Sequence, residues 1–125
     1  MTNDYSEIVA MLGKYFDLLY KGDTGLINQV FLPNAIVCSI VDGKVSSADM
    51  DQFHERIALR QSPESRNEAR KDRILSIDIS GPTTALAKVD LLILPGGLYT
   101  DYLSLLKSDN TWRIISKVFH VDAVS

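Results

Sequence analysis

The sequence predicts an α+β fold, with helices from the first half packed on one face of a curved, mostly antiparallel sheet. Three observations carry this reading. In the first sixty residues apolar side chains recur at three- and four-residue steps, the period of a helix with one buried face. From Arg73 onward apolar and polar residues alternate, the period of a strand. The second-half segments are separated by turn sequences, Gly81-Pro82, Pro95-Gly96-Gly97 and Asp109-Asn110, which suits a meander of long antiparallel strands. Helices first and strands after is the α+β order.

Each element has a local reason. Ile8, Met11, Leu12, Tyr15, Phe16 and Leu19 make one apolar stripe, so a first helix is expected from about Asp4 to Tyr20. Asp4 with Glu7 resembles a capping pair, and Lys21-Gly22 supplies a stop. A second helix is expected over Thr24 to Phe31, capped by Asp23 and ended by Pro33. "AIVCSI" reads as a strand, and Asp42-Gly43 as the tight turn of a hairpin. Ser46 or Ser47 is expected to cap a third helix, about Ala48 to Arg60, with Met50, Phe53 and Ile57 inward. After the loop "SPESRNEA" come four strands: "RILSIDIS", "TALAKVDLLIL", "LYTDYLSLLK" and "TWRIISKVFHV".

Bulk properties narrow the function classes. The 125 residues suit one domain, 1–125, long enough to bury a core. Hydrophobic residues make up 46% and charged residues 23%, ordinary for a globular protein. A net charge of −3 argues against a nucleic-acid partner, because phosphate binding needs clustered positive charge. Arg56, Arg60, Arg66, Arg70, Lys71 and Arg73 are locally basic, but Glu55, Glu64, Glu68 and Asp72 are interleaved, so a solvated helix face and loop are expected. Cys38, the single cysteine, alternates with Ile36 and Ile40 and reads as a buried structural thiol. No apolar run approaches membrane-spanning length and no signal-peptide pattern stands at the start, so no membrane partner and a cytoplasmic location are expected. Two isolated histidines and one cysteine lack zinc-ligand spacing, and Gly96-Gly97 is turn chemistry, so neither a metal nor another cofactor is expected.

The order of elements, with "YFDLLYKGDTGLINQVFLPNAIVCSI" and "DYLSLLKSDNTWRIISKVF", resembles the nuclear transport factor 2-like superfamily, the cystatin-like α+β fold, over nearly the whole chain. Within it, the Gly-Asp before the second helix and the final Trp-Arg-Ile strand look most like the SnoaL-like, lumazine-binding group of small bacterial proteins. The resemblance implies a cone with a pocket at one end and a homodimer through the outer sheet face. It is specific for fold and weak for function, since the superfamily holds isomerases, dehydratases, cyclases, binders and dimerisation domains.

The resemblance also supplies a test. Ketosteroid isomerases of this superfamily use a first-helix tyrosine and a late-strand protonated aspartate as oxyanion donors, and a first-strand aspartate as base. Anchored on "YKGD" and "DNTWRI", those positions fall on Tyr15, Ser104 and Ser39 respectively. Both carboxylates are missing, and a serine without an activating partner is no base at neutral pH, so that isomerisation is not expected. Tyr15 also lies on the apolar stripe, where a core tyrosine with a bonded hydroxyl is the plainer reading.

Six further residues complete the candidate ligand-binding set with Tyr15: Asp90, Tyr102, Ser104, Lys117, Phe119 and His120. The comparison puts Tyr102, Ser104, Lys117 and Phe119 toward the cavity, and Trp112, Ile114 and Val118 on the outer face; a bulge would reverse part of this. Asp90, two residues from Lys88 and so on its face, is either half of an outer ion pair or a polar group inside. His120 could reach the pocket mouth or the dimer edge, with Asp90 or Asp101 as carboxylate partners, while His54 is expected on the helix shoulder. An inward Lys117 would favour an acidic or carbonyl-bearing ligand; alternatively its head group reaches water at the rim. The expectation is a homodimeric cone holding a small, partly apolar molecule. The alternatives are an enzyme of dehydratase, isomerase or cyclase type, or a structural dimerisation domain.

Overall fold

A computed structural model describes residues 3–124. Helix α1 (Asp4–Lys21) buries the stripe from Ile8 to Leu19. Its N-cap is Asn3, not Asp4: the Asn3 side chain accepts from the N–H groups of Tyr5 and Ser6, and Asp4 begins the helix. Gly22 ends it in the left-handed conformation, φ 67°, which only glycine adopts freely. The expected second helix is shorter than its sequence suggests. Asp23 caps a single 3-10 turn, Thr24–Leu26, and α2 (Ile27–Val30) adds one α turn before Phe31 opens strand β1 (Phe31–Val41).

Asp42 and Gly43 both take positive φ and turn β1 into strand β2 (Lys44–Ala48), as an Asp-Gly hairpin requires. That strand uses Ser46 and Ser47, so α3 (Met50–Leu59) is capped by Asp49, which forms a reciprocal capping box with Gln52. Strands β3 (Asp72–Ser80), β4 (Thr84–Ile93), β5 (Gly97–Ser108) and β6 (Thr111–Asp122) form the expected meander.

The strands join in one six-stranded sheet, order β2-β1-β6-β5-β4-β3. All pairs are antiparallel except β1 with β6. The connection from β2 to β3 must therefore travel from one sheet edge to the other. It does so through α3, which contacts β1 and β2 and ends at Arg60. The core lies between the helices and the inner sheet face, where Val37, Ala87, Val89, Leu103, Leu105, Trp112 and Ile114 are buried. No helix of the described residues is long and apolar enough to cross a membrane.

One irregularity decides which side chains face inward. Ser104 pairs with Ser116, yet Leu105 pairs with Ile114, so Ile115 is an extra residue in β6. The bulge flips the alternation: Trp112 and Ile114 before it, and Lys117 and Phe119 after it, all lie on the inner face. Trp112 and Ile114 are thus corrected from outer to inner, both at 2% exposure or less. The facing of β5 is corrected too. Asp101, Leu103 and Leu105 are buried inside, while Tyr102 and Ser104 alternate with them and face outward.

Candidate functional site

The inner site is a small chamber of about 150 Å³ under α3. Phe53, Arg56, Ile57 and Arg60 line it from the helix side; Asp101, Lys117, Tyr99 and Phe119 are among the residues lining it from the sheet. Arg56 and Phe119 also line a wider recess of about 590 Å³, the vestibule, with Ser39, Ser46 and His120.

At the chamber wall stands a buried polar cluster. Asp101 is fully buried, and its Oδ2 accepts a 2.6 Å hydrogen bond from the Tyr15 hydroxyl. Lys117 Nζ lies 3.7 Å from the same oxygen. Tyr15 stands behind Asp101 and touches the chamber through it. Three rings surround the Lys117 ammonium, Phe119 at 5.1 Å, Tyr15 at 5.3 Å and Phe53 at 5.7 Å, within cation–π range. Phe31 joins two of these rings, meeting Tyr15 edge to face and Phe53 at a tilt.

Two kinds of polar atom are left over. Among the described residues Asp101 Oδ1 has no hydrogen-bond partner, and neither have Nε and Nη2 of Arg60. Buried polar atoms without partners are rare and each needs a reason. Burial, with the guanidiniums of Arg60 and Arg56, pushes the Lys117 amine below its ordinary pKa against the pull of Asp101. Burial also lowers Arg60. Tyr15 is raised well above its ordinary value, by burial first and then by the Asp101 charge, so its hydroxyl stays protonated and donates. Three basic side chains and one carboxylate thus line an otherwise largely apolar chamber, an arrangement suited to an acidic or carbonyl-bearing guest.

The structure brings together Lys117 and Phe119 at the chamber, with Tyr15 behind it. It does not bring the other four candidates in. Asp90 faces outward, where Arg73 donates from Nε to both of its oxygens at 2.9 and 3.0 Å. Lys88 leans over the Tyr102 ring instead, 5.3 Å from its centre. Tyr102 and Ser104 are on the outer face with them. The His120 side chain is 71% exposed, lines the vestibule and bonds Asp122 at 2.8 Å, not Asp90 or Asp101. Cys38 is only half-buried, on the outer face beside Ser47 at 3.6 Å. An outer groove of about 530 Å³ runs along Arg73, Asp90, Leu92 and Leu98, but its central carboxylate is already satisfied by Arg73.

Asp101 and Arg60 carry the site and were not in the sequence-derived set. A signal for Arg60 exists: Phe53, Arg56, Ile57 and Arg60 fall at i, i+3, i+4 and i+7, one helical face. The rest of the basic stretch behaves as expected of a solvated face, Arg66 pairing with Glu68 and Arg70 with Asp17 and Asp72. Asp101 also revises the isomerase comparison. A late-strand carboxylate does sit beside the first-helix tyrosine, three positions before Ser104, while Ser39 still leaves the first-strand base position without one.

Comparison with known proteins follows the fold closely. A family model described as "Putative lumazine-binding" matches residues 3–120. The chain is 28% identical over 120 residues to the aldolase FrzH of Cladobotryum sp., covering 95% of this chain and 92% of that protein. A nuclear transport factor 2-like protein of unknown function from Shewanella baltica OS155 superposes with TM-score 0.87 at 28% identity, covering 99% of this chain and all (100%) of that one. Another, from Methylobacillus flagellatus KT, gives TM-score 0.80 at 25% identity over 98% and 95% of the two chains.

Proposed function

This chain belongs to the putative lumazine-binding family, with the nuclear transport factor 2-like fold, and we propose that it binds a small, partly apolar acidic molecule in the chamber between sheet and helices. The observation that carries this is a set of polar atoms with no hydrogen-bond partner among the described residues, Asp101 Oδ1 and Arg60 Nε and Nη2, on two residues that line the chamber. Leaving such groups unsatisfied is unfavourable, and a ligand with an anionic oxygen would satisfy the guanidinium. The chamber equals about five water volumes. It takes a head group of about half a dozen heavy atoms, and the vestibule takes whatever is attached.

The test is thermal unfolding and calorimetric titration of the wild-type chain with a panel of 2-oxo acids, small aromatic carboxylates and lumazine, repeated on Arg60→Met. A ligand that raises Tm in the wild type and binds at least about tenfold more weakly to R60M supports the reading. No response to any of the panel, together with a crystal structure in which side chains fill the chamber, would sink it.

A second, catalytic reading is favoured by the aldolase among the relatives, aligned over most of both chains. Aldol chemistry needs a proton moved next to a carbonyl and a group to hold the resulting charge. Asp101 and Lys117 are of the right types and line one chamber.

The outer sheet face supports one more proposal, a homodimer. Ile36, Ile40, Val45, Leu86, Tyr102, Leu106 and Val118 leave large apolar side chains exposed on one face. A second copy would cover such a patch.

A further inference from the structure

We propose that Lys117 is an imine-forming amine: its Nζ condenses with the carbonyl carbon of a small 2-oxo acid, Asp101 carries the protons, and Arg60 seats the carboxylate. This rests on the reading that the chamber binds a small acidic molecule, and it assigns a covalent step to that site.

The geometry carries it in three parts. Among the described residues Lys117 is the one lysine lining the chamber. Its neighbour Asp101 lies 3.7 Å away, near enough to take a proton after a small movement, and Tyr15 fixes that carboxylate from behind by its 2.6 Å bond. Arg60 lines the same chamber, and its Nε and Nη2, without a partner among the described residues, are two donors in the fork geometry that a carboxylate fits. A carbonyl adjacent to that carboxylate would then stand within the same chamber as the amine. Burial and the two guanidiniums favour the neutral, nucleophilic amine, and Asp101 and the aromatic rings keep the charged form accessible.

The step balances without a co-reactant. The ammonium gives a proton to Asp101, and the nitrogen lone pair forms the C–N bond as the carbonyl π pair moves to oxygen. Asp101 protonates that oxygen. A second proton passes from nitrogen through Asp101 to the hydroxyl, the C–O bond breaks, and water leaves as the nitrogen pair forms the C=N bond. Ammonium and ketone become iminium and water.

The experiment is reductive trapping on the full chain with pyruvate and, separately, with pentane-2,4-dione, a diketone that reports amine nucleophilicity without needing a carboxylate seat. After borohydride, the pyruvate adduct adds the mass of pyruvic acid less one oxygen atom, and peptide mapping locates it. The expected result is a single adduct at Lys117 with either probe, none at that position in Lys117→Arg or Lys117→Met, and about tenfold less pyruvate adduct in Arg60→Met. K117R keeps the charge, so its loss of the adduct does not depend on K117M folding. Labelling of Lys117 no greater than that of the exposed Lys14 or Lys44, with both probes, overturns the proposal. Equilibrium binding of a carboxylate without adduct leaves the binding reading standing and removes this one. Adduct at Lys117 with no equilibrium binding of the carboxylate panel does the reverse.

Discussion

Asp90 and Asp101 sit on adjacent strands, β4 and β5, yet on opposite faces of the sheet. Both are buried, at 6% and 0% exposure. Asp90 meets Arg73 with both oxygens, and Arg73 is itself 70% exposed, so the pair is complete and watered. Asp101 shares one oxygen between Tyr15 and Lys117, and its other oxygen has no partner among the described residues, at the wall of a largely apolar chamber. A satisfied carboxylate at a surface is structure; a half-satisfied one beside a cavity and a buried lysine has capacity left for a ligand.

The most damaging substitution is Asp101→Asn. It leaves Lys117 buried without a counter-charge, which is expected to cost about 3 kcal/mol in urea unfolding. Tyr15→Phe comes next. It removes a hydrogen bond to a charged oxygen and should cost about 2 kcal/mol, with the rings still packed. Combining D101N with Lys117→Met sharpens the picture. The double variant should be more stable than the sum of the single losses predicts by about 1 kcal/mol or more, because each single change strands the other charge. An additive result would mean that the two side chains do not sense one another.

On the outer face Asp90→Asn should lower the urea midpoint far less than D101N, since Arg73 returns to water when its partner is lost. Equal losses from D90N and D101N would erase the distinction between the two aspartates.

The smallest expected effect lies at the end of the cluster of helix and sheet contacts. Asp4 accepts from Lys107 Nζ at 2.8 Å and Trp112 Nε1 at 3.1 Å, and these bonds hold its carboxyl below the ordinary value, Lys107 first. The unfolded chain therefore binds this proton at a higher pH than the folded one. The stabilisation is complete above the ordinary carboxylate value and is lost as pH falls through the lower, folded value. Asp4→Asn should flatten that part of the acid limb of Tm against pH and leave the slope near neutrality unchanged.

Much of this was legible in the sequence. The stripe from Ile8 to Leu19, the Asp42-Gly43 turn and the four alternating strands follow from local periodicity and turn chemistry, which depend on neighbours a few residues apart. Some boundaries slipped where two local signals competed. Ser46 and Ser47 look like helix caps, but pairing with Ser39 and Cys38 drew them into β2, and Asp49 took the cap.

Facing was harder. Alternation divides β5 into an Asp101-Leu103-Leu105 set and a Tyr102-Ser104 set, but periodicity is symmetric between faces. The choice was made by packing against α1 and by the extra residue Ile115, which no local pattern marks.

The sequence by itself determined that this chain is an α+β sheet-and-helix protein with a tyrosine on the first helical stripe and a lysine at a strand position that could face inward. Tertiary packing alone brings Tyr15, Asp101 and Lys117 together and sets Asp101, Lys117 and Arg60 around one chamber. The reason is distance along the chain. Tyr15 and Asp101 are 86 residues apart, and their contact exists only because α1 packs its buried stripe on the inner face of the sheet to which β5 belongs.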